Sequence, residues 1–111
     1  MRRAAKKDAN HAEIVKAFEK MGCSVIDVSM APVGFDILVG YGGLTFGVTM
    51  PVEIKDGTKP PSARKLTANE AKIHARWTGG ARLVKDFDDV VATVNTLRRW
   101  HQQITAWGKV A

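Results

Sequence analysis

Asp36, Glu53 and Lys55 have the residue types and the spacing to do chemistry together. Asp36 enters the apolar run Ile37-Leu38-Val39, the chain turns at Gly42-Gly43, and the return leg closes with Val52-Glu53-Ile54-Lys55. Successive side chains of a strand alternate between faces, so Glu53 and Lys55 point one way and Val52 and Ile54 the other. A hairpin through the Gly-Gly turn brings Asp36 close to Glu53. Two carboxylates and an ammonium then converge on one spot, backed by an apolar face. Paired carboxylates bind a hard cation such as magnesium through oxygen. A lysine beside them meets the charge of a phosphate or positions an attacking water. The chemistry this arrangement suits is phosphodiester cleavage.

The flanking elements must hold that hairpin. Asp8 is placed to cap a helix from about Ala9 to Met21, with Ile14, Val15, Phe18 and Met21 as its apolar stripe and Gly22 as its stop. Glu13, at the edge of the stripe, either looks inward toward a sheet or sits as a solvated charge. Cys23 to Met30 alternates as a first strand with Ile26, Val28 and Met30 on one face. Ala31-Pro32-Val33-Gly34 breaks it just before Asp36. Pro51 cannot donate a ladder hydrogen bond, so a bulge or an edge position is expected there.

After Lys55 the run Asp56-Gly57-Thr58-Lys59-Pro60-Pro61-Ser62 reads as a loop, and Lys59, Arg64 and Lys65 follow directly beyond the proposed site. Thr67 and Glu70 form a capping box for a second helix ending near Trp77, with Ala71 and His74 on one side. Gly79-Gly80 ends it, and Ala81 to Val84 is a short last strand. Asp86 opens a third helix, about residues 86–107, with Phe87, Val90, Val91, Val94, Leu97, Ile104 and Trp107 at helical spacing. Trp100 and Trp107 lie beyond what a four-stranded sheet can cover, which points to a subunit contact.

The 111 residues allow one domain, read as residues 8–111, preceded by a basic arm at residues 1–7. Arg2, Arg3, Lys6 and Lys7 in that arm suit a phosphate backbone or simply aid solubility. Seventeen Lys and Arg against eleven Asp and Glu leave a net charge of +6, which suggests a polyanionic partner. No apolar run approaches the roughly 20 residues that span a bilayer, and no signal peptide opens the chain, so a cytoplasmic location is expected. Cys23 is alone and reads as a small buried apolar residue. The spacing of His11, His74, His101 and Cys23 does not suit zinc, and no phosphate-binding glycine loop or nucleophile motif is present.

A helix carrying Glu13, then Gly34-x-Asp36, then Glu53-x-Lys55, then a basic loop and Leu66-Thr67 opening a helix, resembles the PD-(D/E)XK nuclease superfamily. Within it the chain looks most like the small stand-alone VRR-NUC proteins of phages and bacteria and, more distantly, the Holliday junction resolvases. The likeness covers about residues 8 to 95. It implies an α/β, restriction-endonuclease-like three-layer core with a mixed four-stranded sheet. It also implies that Asp36, Glu53 and the backbone carbonyl of Ile54 hold Mg2+ or Mn2+. Glu13 would support the metal or its waters, and Lys55 would orient the attacking water. Phe35 stands where the family has a proline, and Asn69-Glu70 where relatives often carry a glutamine.

The function expected on this basis is metal-dependent endonucleolytic cleavage of branched or structured DNA by a homodimer, in the bacterial host cell if the protein is phage-encoded. A DNA-binding module of the same fold without catalysis, and a nuclease acting on other DNA or on RNA, are the alternatives.

Overall fold

A computed structural model of the chain describes residues 8–110. The arm residues Arg2, Arg3, Lys6 and Lys7, and the side chain of Arg64, lie outside what is described. The elements run α1 (His11–Lys20), β1 (Ser24–Asp27), β2 (Ile37–Gly42), β3 (Gly47–Ile54), α2 (Ala68–Arg76), β4 (Arg82–Val84) and α3 (Phe87–Val110), with a short 3-10 turn at Pro61–Arg64. The strands form one mixed sheet in the order β1-β2-β3-β4. β1 to β3 are antiparallel and β4 is parallel to β3. This is the α/β architecture expected from the sequence.

Alternation along β3 assigns the layers. Met50, Val52 and Ile54 are buried against Ile14 and Phe18 of α1 and Val90, Val94 and Leu97 of α3. Each such side chain fully removed from water contributes roughly 1.5–3 kcal/mol before the entropy of ordering it. Glu53 and Lys55 therefore emerge on the opposite face, where Glu70 of α2 meets them. Helices cover both faces, but unequally: α2 contributes no buried residue of its own.

α1 begins later than expected. Asn10, not Asp8, stands at its N-cap and makes no side-chain cap bond. Its amide is used elsewhere, donating to the carbonyls of Lys55 (3.0 Å) and Lys85 (3.1 Å), just beyond the ends of β3 and β4. α1 ends as expected: Gly22 has φ +90°, and Cys23 N–H reaches back to the Phe18 carbonyl at 3.0 Å. Cys23 is buried, and burial pushes its thiol up, partly offset by the charge of Arg98.

Two further expectations are corrected. β1 is short and one residue out of phase: Val25 packs against the core while Ile26 is 63% exposed. Asp27 shares the inward face, and its Oδ2 lies 3.3 Å from Nε2 of buried His11, so a polar contact takes the place that apolar alternation assigned to Val28 and Met30. The hairpin does not turn tightly at Gly42-Gly43. Gly42 pairs with Gly47, leaving Gly43 to Phe46 as a four-residue loop.

Pro51 makes no bulge, since its register with Leu38 is continuous, and it takes the edge position that was the other expectation: β3 is an interior strand, but at Pro51 its β4 side is unpaired. The Val52 carbonyl accepts from Asp36 N–H at 2.9 Å, so Val52 faces β2 and Pro51 turns its nitrogen to the other side. There β4 pairing starts only at Val52, and no partner is denied a bond.

On α3, Val90, Val94 and Leu97 are fully buried as expected, but Phe87 is 60% exposed. Thr93 and Thr96 join the buried face, their hydroxyls donating to the carbonyls of Asp89 and Ala92 at 2.7 and 3.0 Å. Among the described residues no helix is long and apolar enough to cross a membrane.

Candidate active site

Asp36 sits one residue before β2, and its register places it beside Glu53 of β3. Its carboxylate oxygen Oδ2 accepts Ile54 N–H at 2.7 Å, which fixes the side chain across the strand pair. Residues of an antiparallel ladder direct N–H and C=O to the same side, so the Ile54 carbonyl leaves β3 toward Asp36 as well. Lys55 Nζ lies 3.5 Å from Glu53 Oε1 and 3.1 Å from Glu70 Oε1. The sequence placed Asp36, Glu53 and Lys55 together, and the fold brings them into one hollow of about 330 Å³.

Glu70 was legible from its own neighbours as a cap, and the resemblance placed Asn69-Glu70 where relatives often carry a glutamine. Thr67 Oγ1 accepts Glu70 N–H at 3.2 Å, and Glu70 Oε1 accepts Thr67 N–H at 2.8 Å, completing the capping box. The same oxygen holds the Lys55 ammonium. One carboxylate thus starts α2 and anchors the lysine of the strand beneath it. A Thr-x-x-Glu pattern signals the first role, and no local pattern signals the second.

The electrostatics are those of three carboxyl groups around one ammonium. Burial, the hydrogen bond with Glu70 and the charges of Asp36 and Glu70 push Glu53 up to about 10, against the opposing pull of Lys55. Burial would raise Glu70 too, but hydrogen bonds from Glu53, Thr67 N–H and Lys55 hold it down at about 2. Burial also raises Asp36, offset in part by the Ile54 N–H and a bond with Glu53. Burial works against the Lys55 ammonium, yet Glu70 and Glu53 hold its pKa above the ordinary lysine value. Of the three carboxyls, Glu53 is the one whose surroundings most favour the protonated form.

Glu13 lies elsewhere. α1 turns His11, Ile14 and Phe18 inward, and Glu13 falls about 100° round the helix from Ile14. It is exposed and lines a separate hollow with Phe87 and Asp86 at the start of α3. The acid that α1 does bring to the site is Asp8, just upstream of the helix. Asp8 lines the hollow, its charge reaches Lys55, and its Oδ1 lies 3.7 Å from Lys59 Nζ. Of the basic loop, Lys59 is thus drawn to the rim, and Lys65 is exposed.

His74 is structural in its bonding. Its Nε2–H donates to the Gly34 carbonyl at 2.9 Å, and its ring lies 4.5 Å from that of Phe35. Gly34 has φ +83°, and a Cβ there would stand 2.6 Å from Ile73 Cγ2, so α2 packs directly on this glycine.

The donor set suits a divalent cation in kind: two carboxylates and a carbonyl from adjacent strands, with negative charge exceeding the single ammonium. The side chains are not spread for ligation. Among the described residues no three His, Cys, Asp or Glu stand in a metal-holding arrangement. Asp36 spends one oxygen on Ile54, and Glu53 is hydrogen-bonded to Glu70. Comparison of the chain with protein-family models, curated proteins and solved structures finds no match.

Proposed function

We propose that the chain is a metal-dependent endonuclease of the PD-(D/E)XK kind, hydrolysing phosphodiester bonds in branched or structured DNA. The observation that carries this reading is the convergence of Asp36, Glu53 and Lys55 in one hollow, with Lys55 held by Glu70. Asp36, Glu53 and the Ile54 carbonyl would hold Mg2+ or Mn2+. Bound there, the ion supplies Lewis-acid polarisation of a phosphoryl oxygen and acidifies a water. Glu53 serves as a ligand only when ionised, so loading displaces its proton and is favoured as pH rises. Lys55 meets the scissile phosphate and orients the water, its direction fixed by Glu70. The net charge of +6 and Lys59 at the rim favour a polyanionic substrate. Action in the cytoplasm, that of a bacterial host if the protein is phage-encoded, fits a DNA substrate.

A homodimer completes the reading. Trp100 and Trp107 are 37% and 70% exposed on the far part of α3, with partly buried Ile104 between them. Paired cuts in a symmetric junction require a two-fold assembly. Sedimentation velocity at micromolar concentration should give a dimer, reduced to monomer by Trp107→Glu; a monomeric parent chain removes the dimer.

A second reading is favoured by the Glu53–Glu70 hydrogen bond and the unspread carboxylates: a DNA-binding module of the same fold without catalysis. One experiment separates the two. Labelled four-way junction, flap, single-strand and linear duplex DNAs are incubated with Mg2+, Mn2+ or EDTA, beside Asp36→Asn and Lys55→Ala. Metal-dependent cuts lost in both variants support the nuclease. Tight binding with no cleavage under either metal supports the module.

A further inference from the structure

We propose that the exposed indole of Trp77 is a stacking platform for an unpaired nucleobase beside the carboxylate hollow. This rests on the nucleic-acid reading above and narrows it to substrates that offer single-stranded bases.

Trp77 follows the last residue of α2 and is 46% exposed, yet its ring is fixed on several sides. Its Nε1–H donates to the Gly80 carbonyl. Gly79 lies close against it, so that a Cβ there would stand 2.7 Å from Trp77 Cζ2. The Phe35 ring meets it edge-on at 5.8 Å and 66°. Phe35 in turn lines the hollow next to Asp36. The indole is a donor only, and its one N–H is already used. What remains open is an apolar, electron-rich surface held at a set angle, with little further entropy to lose when something flat lies on it.

The surroundings identify the occupant. Residues 65–76 carry Lys65, Lys72 and Arg76 against the single acid Glu70. Lys72 and Arg76 are exposed on α2, within the helix that Trp77 terminates. An apolar protein surface has no use for a fringe of cations, whereas a nucleotide is both flat and anionic. Duplex bases are stacked on one another and cannot lie on the indole, so the platform selects unpaired ones.

The test uses binding in EDTA, where cleavage cannot intrude. In the full chain carrying Trp100→Phe and Trp107→Phe, Trp77 is the sole tryptophan, and its emission should be quenched as oligothymidine is added. Fluorescence anisotropy should show Trp77→Ala binding the labelled single strand about tenfold more weakly, with linear duplex binding little changed and Trp77→Phe close to the parent chain. Far-UV circular dichroism confirms that each variant is folded. Unquenched emission together with unchanged single-strand affinity in Trp77→Ala overturns the platform while leaving the nuclease reading intact. Failure of the parent chain to bind the single strand also overturns the platform, whereas the nuclease reading falls only if the four-way junction and flap of the cleavage experiment are neither bound nor cut.

Discussion

The Lys55 ammonium and the Glu70 carboxylate meet at 3.1 Å, joining a strand of the sheet to the helix that lies over its open face. Both side chains are largely removed from water, so the contact is stronger than a surface ion pair and more costly to break from one side. It also couples local helix initiation to the direction of the lysine. Glu70→Ala should slow single-turnover cleavage about 10- to 100-fold, the range for a group that orients a reacting one. Glu70→Gln, which keeps a hydrogen-bonding oxygen for Thr67, should fall between that variant and the parent chain. Cleavage by Glu70→Ala at the parental rate would show that Lys55 needs no such support.

The proton on Glu53 predicts a particular pH dependence. In the folded chain it is held up to about 10, against an ordinary 4.5, so between those values the folded state binds more protons than the unfolded state. Stability in the absence of metal therefore falls as pH rises through that window. Glu70, held at about 2 against 4.5, has the opposite sign and costs stability only as the medium becomes strongly acidic. Thermal melts from about pH 5 to about pH 9 should show a declining midpoint, with a shallower decline in Glu53→Gln. Added Mg2+ should stabilise more at the alkaline end, since the ion competes with the proton. A flat profile in the parent chain would mean that Glu53 is ionised.

Gly34→Ala combines two penalties, a positive φ and a clash of the new Cβ with Ile73. It should cost about 1–3 kcal/mol in urea unfolding. Because the clash falls on α2, amide exchange should accelerate there more than in the strands. Uniform acceleration would place the strain elsewhere.

Asp8 and Glu13 make a paired prediction. Asp8→Asn removes a carboxylate at the hollow and frees Lys59, whereas Glu13 lies on another side of α1. Cleavage should respond to Asp8→Asn, in metal concentration dependence as well as rate, and be indifferent to Glu13→Gln. The reverse result would restore the assignment of Glu13 from the sequence.

Part of the site was legible in the sequence. Asp36, Glu53 and Lys55 were recoverable because strand alternation and one hairpin suffice to bring them together. The Thr67–Glu70 box was recoverable because capping is local. The phase of β1 was not, since it depends on Asp27 reaching His11 across the sheet and helix. The harmless place of Pro51 depends on where β4 begins, a residue far along the chain. Asp8 was read as a cap because its nearest neighbours suggested one, while the fold spends it on Lys59. Contacts distant in sequence decided each of these.

Asn10 bears on how this protein should be trimmed. Its side-chain amide spans the two carbonyls that follow β3 and β4, so the last residue before α1 sets the spacing of the strand that presents Glu53 and Lys55. A deletion meant to remove only the basic arm has to stop short of it. Cut back past Asn10, the chain would lose strand alignment together with cationic residues, and a drop in DNA affinity would be credited to the wrong cause.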